Sequence, residues 1–412
     1  MASRKHRAPL ELPPISRKPR DDQSWLAVQD RLCNWEMCAG KRPTHVEGLG
    51  VPFESTRGKI ENLVGFAQVP LGIAGPLRVD TGAGKRVLYV PLATTEGALV
   101  ASYSRGMRLL AAGGFVRSRV VRERLTQAPV LVYASAERAM AAAEVGRKSL
   151  ARFQRITSST TSHGALVDLA AQVIGRRLVL QLGFTTGDAI GINMAARATD
   201  LCAADLARRT KASERYVHGV DVEKRANARA LVEGRGRSVV AEARVPRAAL
   251  AEIARTTPEA LVAIQRTYTT GFAHLGTQNW LVQSANGIAA AFLALGQDVA
   301  YVAECATGFL DLELDADGDL HAAATLPSLL VGTVGGGTDQ GTARECLELL
   351  GCFGAGHANT LAEILGATVL AGDLSLMSAF CSHEFVSAHE RLGRNRPGGS
   401  AAAARREVPR VR

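Results

Sequence analysis

The sequence predicts an α+β fold: a large, mainly helical domain that carries a small α+β module inserted between residues 129 and 219. Three observations predict it. At 412 residues the chain is long enough for about two or three hydrophobic cores. Hydrophobic residues make up 47% and aromatics only 5%, with 41 glycines, a mix that favours close helix–helix and helix–sheet contact over aromatic-filled cores. Between 129 and 219 the apolar pattern alternates between strand-like and helical stretches, whereas after 247 it reads as a succession of helices.

Taken in order, residues 1–20 read as a disordered basic arm. Residues 21–64 read as a polar helical region, with Trp25, Leu26, Val28, Leu32 and Trp35 at roughly helical spacing. The large domain occupies 65–128 and 220–393. Its first part holds a Gly- and Pro-rich stretch ending in a strand near Val79, a second strand at 87–90, and a helix after Thr94-Thr95-Glu96 that either threonine could cap. In the insertion, 129–133, 166–174 and 178–182 read as strands, and 135–145 and 195–210 as helices, with Ser135 a candidate cap. That β-α-β-β-α order suits a compact module. Further helices are expected at 247–266, 279–296, 341–350, 358–370 and 372–391, and residues 394–412 read as a disordered basic tail.

The formal charge of +10 raises nucleic acid or an acidic membrane as partners, so its location matters. Residues 1–20 carry six Lys/Arg against Glu11, and residues 394–412 carry six Arg against Glu407, so the two tails hold all of the excess. Neither tail interleaves aromatics or shows a nucleic-acid motif, and both read as solvated. Seven cysteines, an odd number without paired spacing, fit a reducing compartment, and no His/Cys cluster has metal-ligand spacing. The amino terminus lacks the apolar core of a signal peptide, and no run approaches ~20 uninterrupted apolar residues. A soluble, cytoplasmic protein without metal, nucleic-acid or membrane partner is expected.

Several strings join glycines to polar residues. In Gly187-Asp188-Ala189-Ile190-Gly191-Ile192-Asn193-Met194 the glycines let backbone approach a flat ligand, and Asn193 offers a donor and an acceptor. The alternative is a strand-to-helix turn with Asp188 as cap and Met194 in the core. Gly332-Thr333-Val334-Gly335-Gly336-Gly337-Thr338-Asp339 separates a strand-like run from a helix, a geometry suited to a pyrophosphate or equally to a tight connection. Glu96, at the start of a helix with one small-residue face, reads as a first-turn acid or as a proton donor kept protonated by burial. Lys224 lies in the charged run Asp221-Val222-Glu223-Lys224-Arg225 and could face an oxyanion. Asp298 follows an apolar helix, where the dipole disfavours a carboxylate, so a partner such as lysine is expected to offset it. His389 lies late in the chain, just before the tail.

Together these strings resemble one family, the 3-hydroxy-3-methylglutaryl-CoA reductases, most closely the class that prefers NADPH. The resemblance rests on Glu61-Asn62-Leu63-Val64-Gly65-Phe66 with Pro70-Leu71-Gly72-Ile73-Ala74-Gly75-Pro76-Leu77, and on Pro91-Leu92-Ala93-Thr94-Thr95-Glu96-Gly97. It rests equally on the two glycine strings and on Gly372-Asp373-Leu374-Ser375-Leu376-Met377, all in order from about residue 61 to 391. It implies a large domain around a central helix, an inserted ferredoxin-like nucleotide-binding domain, and an active site at a homodimer interface. It places Glu96, Lys224, Asp298 and His389 at the catalytic positions and Asn286 in the substrate pocket, with the acyl-CoA as substrate. Cofactor contacts are implied for Thr161, Ser162, His163, Asp188, Ile190, Gly191, Asn193, Met194, Gly335 and Gly336. The implied reaction is a four-electron reduction to mevalonate and free CoA.

This chain departs from the family around the acyl group. Gln127 stands where an Arg is usual before a Gly-Pro or Ala-Pro, Val217 replaces a Ser, Glu223 replaces the Asp before the lysine, Arg225 replaces the Lys after it, and Arg266 replaces a pocket Lys. Losing an Arg–carboxylate contact forfeits roughly 1.5–3 kcal/mol, and Arg is not a neutral substitute for Lys. Thr161-Ser162-His163 also lacks the Arg expected near a 2′-phosphate, so NADPH is expected with NADH as the alternative. Two rival readings remain: a reductase of another acyl thioester, and a non-catalytic homologue that keeps the cofactor pocket.

Overall fold

The computed structural model describes residues 12–15, 25–47, 59, 67–218 and 223–382. The expected tail 394–412, most of the arm 1–20, much of the linking stretch after residue 47, and His389 lie outside them.

Two helices open the described chain, α1 (Trp25–Ala39) and α2 (Thr44–Glu47). The first turn of α2 is capped from far away: Thr44 and His45 donate their N–H groups to Glu345 Oε1 at 2.7 and 2.9 Å, and Val46 donates to Oε2 at 3.0 Å. A hairpin follows, β1 (Leu71–Thr81) and β2 (Gly84–Ala93), then α3 (Leu99–Ala112) and the long β3 (Val116–Gln127). The cap of α3 is not Thr94 or Thr95, as the sequence suggested, but Ala98, at φ 71° and without a side-chain bond. Thr94 Oγ1 instead accepts from the Glu96 N–H at 3.0 Å, which turns the chain one step earlier.

Next come β4 (Val130–Val132), α4 (Ala136–Arg147), α5 (Leu150–Ser158), β5 (Ala165–Ile174), β6 (Arg177–Thr185), α6 (Ile192–Thr210) and β7 (Glu214–Tyr216). Ser135 does cap α4, accepting from the Arg138 N–H at 3.2 Å. The strands lie in the order β7-β4-β6-β5, every pairing antiparallel, and the three helices pack beside the sheet.

The remainder comprises α7 (Ala228–Glu233), β8 (Gly236–Val245), α8 (Arg247–Ala249) running into a π-turn over Leu250–Ala254, α9 (Pro258–Leu275), α10 (Ser284–Ala294), α11 (Val302–Cys305), β9 (Phe309–Leu314), β10 (Leu320–Leu329), α12 (Gly341–Leu349) and α13 (Ala358–Cys381). Its strands run β2-β1-β3-β8-β10-β9. β3 belongs to both sheets: Arg117–Arg124 pairs with β8, and Leu125, Thr126 and Gln127 pair with β6. The large part therefore holds much more sheet than expected. The sequence hid β3 and β8 because charged residues alternate with buried ones along them, as in Val116, Ser118 and Leu125 or Arg237, Val239 and Ala241. The expected helix 247–266 is broken at Arg255, φ 53°, and restarts under a Thr257 cap with Pro258 in its first turn.

At the centre lies α13, one continuous helix where two were expected, 358–370 and 372–391. It is long and apolar enough to cross a membrane, yet it is buried as the core helix along nearly its whole length. Gly372 serves packing, since a Cβ there would sit 2.4 Å from Tyr103 Cζ. Gly287 of α10 approaches the same end of the ring, where a Cβ would meet Tyr103 Oη at 2.0 Å. Tyr103 is thus wedged between two glycine-bearing helices, and its hydroxyl donates to Gln283 O at 2.7 Å. Beside it the fully buried Asp373 of α13 accepts from the Val282 and Gln283 N–H groups at 2.9 and 2.8 Å, fixing where α10 begins.

Burial pushes the Asp373 carboxyl up to about 7, against the pull of those two amides. A group whose folded pKa lies above its unfolded value stabilises the fold most at low pH, and that contribution fades as pH climbs through the folded pKa. Denaturant unfolding from pH 5 to 8 should therefore show the wild-type protein losing stability relative to Asp373→Asn by a few kcal/mol. At pH 5 the buried carboxyl is protonated and close in shape and charge to the amide, so the two proteins should then differ least.

Candidate active site

Lys224 sits in a left-handed backbone conformation, φ 58°, in the turn before α7. Its Nζ lies 2.8 Å from Asp298 Oδ2 and 4.9 Å from the centroid of the Tyr301 ring. Its backbone N–H donates to Glu304 Oε1. Glu304 is wholly buried and also takes two bonds of 3.0 Å from Nη1 of the buried Arg235. Burial raises the Glu304 carboxyl, while Arg235 and the Lys224 amide oppose the rise. Arg235 reaches Glu223 at 3.5 Å as well, and Glu223 accepts from the Tyr301 hydroxyl. The Lys224–Asp298 pair itself is a little over 40% exposed on each side, so screening leaves it a minor contributor to stability. Asp298 escapes the dipole penalty expected of it. It caps the 3-10 turn Val299–Tyr301, accepting from the Ala300 N–H at 3.0 Å, and so meets the positive end of the next helical turn.

A second cluster forms at the other end of α10. Asn286, in its first turn, donates from Nδ2 to both carboxylate oxygens of Glu96, at 2.9 and 3.2 Å. In the single chain Glu96 is exposed, not buried against the small face of α3 as the sequence suggested. From Asn286 to the end of α10 the helix rises about 12 Å. The chain then doubles back, through α11, until Ala306 O accepts from Ser284 at 2.6 Å. Asn286 thus stands in the first turn of α10 and Asp298 follows its last, and among the described residues no hydrogen bond or ion pair joins the Lys224–Asp298 pair to the Glu96–Asn286 pair.

The glycine strings converge on the lysine end. Asp188 O accepts from the Thr333 and Val334 N–H groups at 2.8 and 3.2 Å. Gln297 clasps Gly332 with two bonds of 2.9 Å, amide to carbonyl and N–H to amide oxygen. A Cβ on Gly296 would meet Gly337 O at 2.5 Å. Thr161, Ser162 and His163 join them: a Cβ on Gly187 would lie 2.8 Å from His163 O, and one on Gly164 would lie 2.5 Å from Met194 Cε. Gly191, at φ 80°, leads into the uncapped amino end of α6, where Ile192, Asn193 and Met194 form the first turn after Ile190. Gly335 and Gly336, at φ 79° and 62°, border open space. These loops fit a flat dinucleotide: backbone donors at a positive helix end, with room where a side chain would intrude.

Other expectations fare differently. The Asp188 side chain is absorbed by the fold, accepting from the Gly356 and Ala358 N–H groups at 2.8 and 3.1 Å and so holding the start of α13. Burial works against its charge, but these backbone donors and Arg237 outweigh it and keep the carboxyl below its ordinary value. Arg225 donates to Glu223 O at 3.0 Å, within the lysine turn. Gln127 is buried, and neither end of its amide has a partner. Arg266 lines a separate cavity of about 470 Å³ between α9 and β9, none of whose lining residues belongs to either cluster. Arg235, Tyr301, Glu304 and Gln297 went unnoticed in the sequence. A buried arginine between two glycines was the available signal for the first, and none marked the other three.

Comparisons with known proteins point to one family. The family described as hydroxymethylglutaryl-coenzyme A reductase matches residues 27–394. A 3-hydroxy-3-methylglutaryl-coenzyme A reductase of Haloferax volcanii is 41% identical over 375 residues, covering 89% of this chain and 93% of the relative. One of Methanothermobacter thermautotrophicus is 39% identical, covering 89% and 94%. That of Blattella germanica is 37% identical over 81% of this chain but only 40% of its own length. Among solved structures, the class II reductase of Streptococcus pneumoniae, determined bound to NADPH in open conformations, superposes with a TM-score of 0.70 at 20% identity, covering 87% of this chain and 98% of that one. With a family match across most of its length and relatives near 40% identity over nine-tenths of it, this chain belongs to the hydroxymethylglutaryl-coenzyme A reductase family.

Proposed function

We propose that the chain reduces 3-hydroxy-3-methylglutaryl-CoA to mevalonate and CoA with two NADPH, as a cytoplasmic homodimer whose reaction centres lie between subunits. The observation that carries this reading is the Lys224–Asp298 pair, 2.8 Å apart, joined through Gln297 to the glycine loop at Gly332. The module at 129–219 is the nicotinamide-nucleotide domain, and its strand order β7-β4-β6-β5 is that of a ferredoxin-like unit. NADPH supplies one hydride in each of two reductions. Overall the thioester, two NADPH and two protons become the alcohol, free CoA thiol and two NADP⁺.

The residues act where charge develops. The Lys224 ammonium faces the oxyanion formed as hydride reaches the thioester carbon, and Asp298 keeps that ammonium in place. His389 protonates the departing CoA thiolate, which with a thiol pKa of about 8.5 leaves poorly as a free anion. Glu96, aimed by Asn286, gives its proton to the carbonyl oxygen in the second reduction. Asn286, which holds Glu96, stands at the start of α10, and Asp298, which holds Lys224, follows its end. Since no hydrogen bond or ion pair joins the two pairs among the described residues, the glutamate that meets each lysine is assigned to the partner across a two-fold axis. Glu223, Arg225 and Gln127 remain candidates for the acyl pocket, whereas Arg266, in its own cavity, does not join them. The buried, partnerless amide of Gln127 favours a second reading, a reductase of a thioester whose acyl end is uncharged.

Three measurements test these readings. Lys224→Ala should lower kcat by roughly 10²–10³-fold, the usual loss when an oxyanion's partner is removed. Mixing refolded Lys224→Ala and Glu96→Ala subunits should restore about a quarter of wild-type activity, because half of the dimers regain one intact centre. Neither variant should regain activity alone, and failure of the mixture to recover would place both groups in one subunit. Product identification with NADPH and NADH over a panel of acyl thioesters should give mevalonate from hydroxymethylglutaryl-CoA. Turnover confined to thioesters without the distal carboxylate would favour the second reading instead.

A further inference from the structure

A lysine held at φ 58° occupies a conformation that L side chains other than glycine rarely adopt, so something must hold Lys224 there. The restraint comes from behind. Glu304, with no exposed surface, receives the Lys224 backbone N–H on the same oxygen that Arg235 contacts. Arg235 is 2% exposed and spans from Glu304 to Glu223, the residue preceding Lys224. Tyr301 completes the cradle, with its ring 4.9 Å from the ammonium and its hydroxyl on Glu223. Both ends of the Glu223–Lys224 turn are thus tied to one buried arginine, and the side chain that emerges can reach Asp298 over an aromatic face.

The geometry points to Glu304, Arg235 and Tyr301 as positioning residues for the Lys224 ammonium. The buried Glu304–Arg235 pair sets the backbone, and the Tyr301 ring sets the direction of the side chain. A buried ion pair suits the task because neither charge can be released to water without leaving the other unpaired, so the turn has one stable arrangement. A cation over an aromatic face is likewise drawn to one place. None of the three is proposed to touch the reacting atoms. Their effect on turnover rests on the reductase reading; their effect on the placement of Lys224 does not.

The test uses the whole 412-residue chain and three variants. Glu304→Gln keeps the shape and removes the charge, whereas Tyr301→Leu removes ring and hydroxyl but leaves the Glu304–Arg235 pair. Two quantities are read: steady-state kinetics, and the rate at which Lys224 is acetylated by an amine-reactive ester, followed by peptide mass spectrometry. The exposed Lys148 and Lys211 serve as internal references. We expect kcat to fall about 10–100-fold with KM for both substrates within about twofold, the signature of a misplaced group acting in the transition state. Acetylation of Lys224 should rise about fivefold or more over the references, as the ammonium leaves Asp298. Tyr301→Phe, which keeps the ring, should recover most of the lost turnover. If Glu304→Gln does not fold, Tyr301→Leu carries the same two readouts. Wild-type kcat in the folded variants, or acetylation of Lys224 at the wild-type rate, overturns the assignment. Acetylation needs no substrate, so it stands even where hydroxymethylglutaryl-CoA is not turned over.

Discussion

The eleven residues of α10 are the constraint that links the two charged pairs of the candidate site. The helix is made of small and apolar residues and is buried along Gly287, Ile288, Ala290, Ala291, Phe292 and Ala294, so it has neither room to bend nor a reason to kink. Both of its ends are fixed from outside. Asp373 holds the two amides before its first turn, and Gln297 clasps Gly332 just beyond its last. A rod pinned at both ends is stiff, with Asn286 and its Glu96 contact at the start and Asp298 with its Lys224 contact just beyond the end.

The two charged pairs near Lys224 are built on opposite physical terms. Glu304 and Arg235 are desolvated and depend on each other, so their geometry is stiff. Lys224 and Asp298 stay partly wet, so their mutual attraction is weak and the ammonium can exchange one negative partner for another. A cation meant to meet a developing negative charge, as proposed for Lys224, is served by this combination of a rigid base and a loosely held tip. Asp188 shows the same economy in the glycine loops, where its carbonyl fixes Thr333 and Val334 while its carboxylate holds the start of α13.

The sequence made some of this legible and concealed the rest for physical reasons. Ser135 as a cap, and α4 and α6 at nearly their true positions, could be read because local chemistry decides them. β3 and β8 could not, because their inward residues include Ser118, Gln127 and Arg237, which are polar. Burial of polar groups depends on partners distant in the chain, and periodicity carries no trace of them. The same holds for Glu304, whose charge resembles any other glutamate until Arg235 arrives from about seventy residues upstream. Lys224 and Asp298 were legible only through resemblance, since the charged run and the helix end each had a simpler explanation.

The shared strand β3 has a mechanical consequence. A chain that passes between two sheets without an intervening loop offers no free joint, and parting them would require tearing hydrogen bonds at Leu125–Phe184 or Arg124–Gly236. Any clamping of the small sheet onto a bound dinucleotide must then travel as torsion along the strand. The place suited to absorb it is the irregular step between Val120 and Arg122, where the ladder is already out of register. Such a shaft would transmit small rotations faithfully and resist large ones.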